Sequence, residues 1–244
     1  MLGTLSDLAV AGKHPGNSNN TLPGSLKRIA LAATEIEIWQ TRLDLSTEVV
    51  SQCAELLSND ERLRAHRFHY ERHRRRFIVA RGTLRVLIGG YLGIGAASIR
   101  FSYLKNGKPG LAMWPEPLRF NVSHAHERAL FALSRQYQVG IDIEYLERDI
   151  AYRELVGRYF SPREAATLER FPNAERRHVF LTAWSRKEAV AKISGEGISA
   201  VSKNRIEVPL GPLSDPYHAQ QWKLYEVDVE NSYTANVAVR LGEH

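Results

Sequence analysis

The 244-residue chain has a single cysteine, Cys53. One thiol cannot close an intrachain disulfide, and it rules out a zinc site built on paired cysteines. A chain without disulfides fits a reducing compartment, so a cytoplasmic protein is expected. No apolar run approaches the roughly 18 residues of a membrane span. The first residues lack the basic start and apolar stretch of a secretion signal, so no membrane association is expected. An acidic excess is also missing. Lysine and arginine total 33 against 27 aspartates and glutamates, a net charge of +6. That balance favours an anionic partner, whether nucleic acid, a phosphorylated cofactor or an acidic protein, and does not choose among them.

What the chain does carry is concentrated in two segments. The first is Gly140-Ile141-Asp142-Ile143-Glu144. Val139, Ile141 and Ile143 alternate with Gly140, Asp142 and Glu144, which predicts a strand over Tyr137–Glu144 with both carboxylates on one face. Same-face neighbours on a strand lie roughly 6.5–7 Å apart. Two carboxylates so placed repel unless a cation or hydrogen-bond donors lie between them, and all-oxygen ligation suits Mg²⁺. The second segment is Trp184-Ser185-Arg186-Lys187-Glu188-Ala189-Val190-Ala191-Lys192. It reads as a helix from about Asn173 through Lys192, with Gly195 where a C-cap glycine belongs. Glu188 and Lys192 are i, i+4 and point the same way. Packed across the strand, Glu188 would be a third oxygen ligand or a base, and Lys187 and Lys192 would hold phosphate oxygens. Taken alone, an Asp-x-Glu strand is more often a solvated face. An i, i+4 Glu–Lys pair is more often a surface ion pair, worth roughly 0.3–0.5 kcal/mol.

Along the chain, residues 1–27 read as a flexible leader rich in Gly, Pro, Asn and Ser. A strand is expected near Glu35–Trp39. Ser58-Asn59-Asp60-Glu61 has the form of a capping box opening a helix, and a longer helix runs from about Arg72 to Leu92. Strands follow near Ile99–Tyr103, Leu118–Ser123 and Ala129–Ser134, then the Asp142 strand. Helices are expected over Ala151–Phe160 and Pro162–Arg170, the second capped by Ser161 and Glu164. The long helix comes next, and strands near Arg205–Val208, Trp222–Val229 and Thr234–Val239 close the chain. The element order predicts an α+β fold in two similar halves, 28–136 and 137–244.

Arg62, Arg64, Arg67, Arg72, Arg74, Arg75, Arg76, Arg81 and Arg85 form a basic stretch interleaved with Phe68, His69, Tyr70 and Phe77. Such a mixture suits nucleic acid as well as a phosphorylated cofactor. A solvated helix face is the plain reading for most of these residues. Arg74, Arg81 and Arg85 fall on one helical face by spacing, and guanidinium forks match phosphate geometry. His124 ends a strand beside Ser123. With His126 it invites a zinc reading, which no spaced cysteine or third histidine supports.

Taken together, these segments resemble the signature motifs of the 4′-phosphopantetheinyl transferases, in particular the longer surfactin-synthetase-activating type. Phe120-Asn121-Val122-Ser123-His124 is similar to a third landmark of that family and Gly107-Lys108-Pro109 to a fourth, in the same order and spacing. The resemblance covers roughly residues 57 to 200. It implies two α+β halves related by a pseudo-twofold with the active site between them. It implies Mg²⁺, or Mn²⁺, held by Asp142, Glu144 and Glu188. It implies coenzyme A as co-substrate, contacted by Arg64, Arg81, Lys108, Ser123, His124 and Lys187, with Glu188 and Lys192 catalytic. The partner would be an apo acyl or peptidyl carrier protein, the enzyme a monomer, and nucleic acid no ligand. One family lysine falls on Glu61 here, a departure from the pattern. Rival readings are a Mg²⁺-dependent nuclease or phosphohydrolase and a non-catalytic nucleic-acid-binding module.

Overall fold

Val139, Ile141 and Ile143 enter one hydrophobic core, whereas Gly140, Asp142 and Glu144 turn the other way. That alternation organises much of the molecule. It is seen in a computed structural model of the chain, which describes residues 25–31, 35–103, 107–112, 118–195, 197–198, 207–219 and 221–241. The expected leader falls mostly on residues 1–24, outside the described residues. The fold is α+β, as expected. Its residues gather into two compact units, each drawn from more than one stretch of chain. The expected half 137–244 lies within the larger unit, and residues of the expected half 28–136 fall in both.

The smaller unit contains Gln40–Phe101 and Glu127–Ala129. Three helices build it: α1 (Thr47–Leu56), α2 (Asn59–His66) and α3 (Glu71–Leu92). The capping box at α2 forms as expected, with the Ser58 amide donating to Glu61 Oε2 at 2.9 Å. The first part of α3 is exposed or half-buried, but Val79 to Gly89 are buried on every side. Helix α1 was not anticipated.

The larger unit contains Arg28–Trp39, Ser102–His126 and Leu130–His244. One sheet has the strand order β1 (Lys27–Ile29), β2 (Glu37–Arg42), β6 (Arg128–Ser134), β5 (Arg119–Ala125). Between β2 and β5 in the chain lies a two-stranded sheet of β3 (Phe101–Tyr103) and β4 (Pro109–Leu111). The chain continues through β7 (Val139–Tyr145), α4 (Tyr152–Tyr159), α5 (Pro162–Leu168) and α6 (Arg176–Ser194). It ends in β8 (Tyr217–His218), β9 (Trp222–Glu226) and β10 (Tyr233–Arg240). These strands form a second sheet of order β7-β10-β9-β8, antiparallel throughout. Of the strand expected near 205–208, residues 205 and 206 lie outside the described residues, and Glu207 and Val208 are irregular.

Each face of the second sheet has its own core. On one, Val139, Ile141, Ile143, Val237 and Val239 meet Ile29, Ile38, Leu130 and Ala132 of the first sheet. On the other, Leu224, Trp222 and Ala238 meet Phe180, Leu181, Ala183, Ala189 and Ile193 of α6. Burying each of the larger side chains stabilises the unit by about 1.5–3 kcal/mol. Helix α6 comes so close to β7 that a Cβ on Gly140 would sit 2.0 Å from the Ala189 carbonyl oxygen. Helix α6 ends at Gly195, left-handed at φ 75°, the C-cap expected. The same face of β7 that carries Gly140 carries Asp142 and Glu144. The two carboxylates are therefore pressed under α6.

Candidate active site

Asp142 is almost wholly buried on β7. Its Oδ1 accepts from Ser123 Oγ at 2.8 Å and from Lys192 Nζ at 2.6 Å. Lys192 also donates to Ser123 Oγ at 3.0 Å and to the Ile141 carbonyl at 3.2 Å. All three ammonium protons are thus engaged. Asp142 Oδ2 is different: it is buried and accepts no hydrogen bond. A buried charged oxygen left without a donor is costly. Such an atom marks a place where another positive group fits.

Glu144, two residues on, is also buried. Its Oε2 accepts from Arg148 at 3.1 Å. Burial, and then the neighbouring Asp142 charge, push its carboxyl up to about 7, with Arg148 opposing. Glu188 on α6 is half-buried. Burial and the Asp142 charge raise its pKa as well, while Lys192 lowers it. Crowded carboxylates with too few donors are the environment a hard cation relieves. The donor set of Asp142 Oδ2 and Glu144 therefore fits a divalent ion. Among the described residues, however, no three His, Cys, Asp or Glu side chains are close enough together to hold a metal. The expected trio of Asp142, Glu144 and Glu188 is therefore not drawn together as a three-ligand group among the described residues.

The rest of the helical motif ties α6 down. Ser185 Oγ donates to the Asp142 carbonyl at 3.2 Å and accepts from Asn236 Nδ2 at 3.2 Å. Asn236 stands directly opposite Asp142 in the β10–β7 register. Arg186 donates to the Pro209 and Gly211 carbonyls and pairs with Glu226. Lys187 does not join the Asp142 cluster. It is buried, its ammonium pairs with Glu164 Oε1 at 2.8 Å, and it lies over the Phe160 ring. Its expected coenzyme contact gives way to this buried pair, because successive residues on a helix face different neighbours. Sequence reasoning passed over Ser185, Asn236 and Glu164; only the capping position of Glu164 was readable.

Lys108 is half-buried just before β4. Its ammonium donates to the Lys192 and Ile193 carbonyls at the end of α6. Burial, reinforced by the Lys192 charge, lowers its pKa to about 8. His124 is exposed at the end of β5. Ser123 was expected at the coenzyme; its hydroxyl lies on Asp142 and Lys192.

The basic stretch lies in the smaller unit, and much of it serves that unit's own packing. Arg62 donates to the Glu55 and Leu57 carbonyls at the end of α1. Arg75 bonds the Leu45 carbonyl, Arg76 pairs with Asp44, and Arg74 pairs with Glu71. Arg85 is buried against Glu61 at 2.7 Å and donates to the Ala96 and Ile99 carbonyls. Arg81 is buried too, 3.5 Å from the other Glu61 oxygen and over the Phe101 ring. Arg74, Arg81 and Arg85 therefore present no common phosphate-binding face, since α3 is buried on all sides where the latter two stand. Glu61, the departure from the family pattern, is the counter-ion both arginines need. Arg64 remains exposed, its guanidinium over the Phe77 ring at 5.4 Å. Cys53 is buried, and burial pushes its thiol up to about 11, which leaves it no nucleophile.

Comparison with known proteins gives the same direction. A family profile described as the 4′-phosphopantetheinyl transferase superfamily matches residues 138–238. A second, described as 4′-phosphopantetheinyl transferase, N-terminal, matches residues 43–136. The chain is 37% identical over 216 residues to 4′-phosphopantetheinyl transferase HetI of a Nostoc species, covering 86% of this chain and 90% of that one. It is 27% identical over 143 residues to the 4′-phosphopantetheinyl transferase of Bacillus subtilis, covering 59% and 62%. It is 26% identical over 207 residues to the mouse L-aminoadipate-semialdehyde dehydrogenase-phosphopantetheinyl transferase, covering 74% and 66%. The superfamily profile spans both Asp142 and Lys192. This chain accordingly belongs to the 4′-phosphopantetheinyl transferase family.

Proposed function

We propose that this protein transfers the 4′-phosphopantetheine group of coenzyme A to a serine hydroxyl of an apo acyl or peptidyl carrier protein. The observation that carries the reading is the Asp142 cluster, with one carboxylate oxygen held by Ser123 and Lys192 and the other buried without a donor. Asp142 and Glu144 would hold Mg²⁺ or Mn²⁺, with Glu188 contributing directly or through water. When bound, the ion would neutralise pyrophosphate oxygens as charge develops on them.

The carrier's serine oxygen attacks the β-phosphorus. The bond from that phosphorus to the bridging oxygen breaks, and adenosine 3′,5′-bisphosphate departs. Glu188 takes the serine proton; its raised pKa brings it closer to neutral pH, where a general base works best. Lys192, about a quarter exposed, faces the leaving phosphate from the Asp142 side. A preset ammonium of this kind stabilises charge without reorganisation at the moment of reaction. His124, exposed at the strand end, binds pyrophosphate oxygens, and Arg64 binds the coenzyme's 3′-phosphate. The net charge of +6 steers an acidic carrier toward the enzyme.

Mass spectrometry of apo carrier mixed with the protein, coenzyme A and Mg²⁺ tests this. The carrier should gain one phosphopantetheine group, and chelation of the metal should stop the gain. Hydrolysis of nucleic acid or phosphate esters, with no carrier modified, would favour the nuclease reading instead.

A further inference from the structure

Strands β5 and β7 belong to different sheets, and among the described residues no backbone ladder joins them. Two side chains of β5 link them instead. Asn121 Oδ1 accepts from the Ile141 amide at 2.9 Å, and Ser123 Oγ donates to Asp142 Oδ1 at 2.8 Å. Residues two apart on a strand share a face, so both reach β7 from the same side. Both are buried. The Ser123 hydroxyl has a further role. It donates to Asp142 and accepts from Lys192, while Lys192 itself donates to the same Asp142 oxygen. The three groups close a ring at Oδ1 and leave Oδ2 outside it.

A carboxylate on a strand turns about its last torsion with little resistance. Without the hydroxyl, Lys192 could bridge either oxygen, or both. With it, one oxygen is committed from two directions.

We propose that Ser123 is a positioning residue: its hydroxyl fixes the Asp142 carboxylate through Oδ1 and so presents Oδ2 to a divalent cation. This rests on the metal-dependent reading given above. It differs from a direct contact between Ser123 and the coenzyme. Groups that orient a metal ligand commonly change metal affinity about 10- to 100-fold when removed.

The test uses Ser123→Thr and Ser123→Val, which are nearly the same shape and differ by the hydroxyl. Mn²⁺ binding to the full chain is measured by electron paramagnetic resonance, without coenzyme or carrier. Steady-state kinetics then give kcat and the KM for coenzyme A. Ser123→Val should weaken Mn²⁺ by about tenfold or more relative to Ser123→Thr and lower kcat, with the KM for coenzyme A changed less than about threefold. Equal Mn²⁺ affinity in the two variants overturns the proposal. So does a loss confined to the KM for coenzyme A. If β-branched residues prevent folding, Ser123→Ala against the wild type gives the same reading. Carrier modification by a wild-type chain that binds no Mn²⁺ would sink this inference and leave the transfer reading standing. A chain that modifies no carrier but still shows the Thr–Val difference in Mn²⁺ affinity would do the reverse.

Discussion

Helix α6 carries two lysine–carboxylate pairs five residues apart, and they are built differently. Lys187 and Glu164 are both almost fully buried. Glu164 Oε1 also accepts from the Val208 amide at 2.9 Å, and its Oε2 accepts from the Ser161 amide at 2.8 Å. Every oxygen is served, and the pair joins α5, α6 and the segment after it. Lys192 belongs to the same helix, yet its partner Asp142 keeps one oxygen with no donor and Lys192 stays partly exposed. A closed pair holds structure. An open one keeps capacity for a ligand, and its unserved oxygen is the sign that separates the two.

The sharpest way to break this comparison is to remove one partner from each pair. Asp142→Ala should lower kcat by at least about 100-fold, the scale for an essential catalytic group, with the unfolding transition little changed. Near-normal turnover at saturating Mg²⁺ would dissolve the distinction. Lys187→Met should do the opposite. It leaves Glu164 buried and unpaired, at a cost of about 3–5 kcal/mol, while the folded fraction keeps its turnover within a few-fold. Urea unfolding reads the first effect and single-turnover rates the second. Adding Glu164→Leu to Lys187→Met should recover part of the loss, because the unpaired charge goes with it.

The arginines of the smaller unit repeat the contrast. Arg64→Ala should weaken coenzyme A by about 10- to 150-fold, the loss of one charged hydrogen bond, and leave dephospho-coenzyme A nearly unaffected. Arg81→Ala should instead lower the melting temperature, because Glu61 loses one of its two buried partners. Calorimetric titration with both ligands decides it; equal losses for the two would remove Arg64 from the 3′-phosphate.

The smallest effect concerns Lys108. Its pKa is lowered in the folded chain to about 8, from 10.5. Between those values the unfolded chain binds more protons than the folded one, so this group's contribution to stability rises with pH across that window. Below about 8 the burial penalty on the ammonium is fully present. The wild type should therefore gain on Lys108→Met in melting temperature as pH rises from about 7.5 to 9.5. A constant difference between the two would mean that Lys108 titrates as an ordinary exposed lysine.

Local rules made a good share of this molecule readable. Alternation placed Asp142 and Glu144 on one face of β7. Both capping boxes formed where a serine stands three residues before a glutamate, and Gly195 closed α6. Each depends on residues close together in the chain. What stayed hidden depends on partners far apart. Lys187 and Glu164 are 23 residues apart, and Asn236 lies opposite Asp142 through a strand pairing that no spacing reveals. The arginines of α3 misled for a related reason. Periodicity assigns a charged face to a helix that has a solvent side, and the second half of α3 has none. Glu61 looked like a missing cation; only the packed helices show it as the anion that Arg81 and Arg85 require.

Gly140 has a consequence for how the sequence can vary. The missing Cβ sets the distance between α6 and β7, since any heavier residue would meet the Ala189 carbonyl at 2.0 Å, and that oxygen belongs to the backbone rather than to a side chain able to swing away. A saturation library at this position, screened for carrier modification, should return glycine alone. Alanine already brings the Cβ that collides, so it should fail with the larger residues, and any rescue should come from changes that let α6 move rather than from any at the carboxylates themselves.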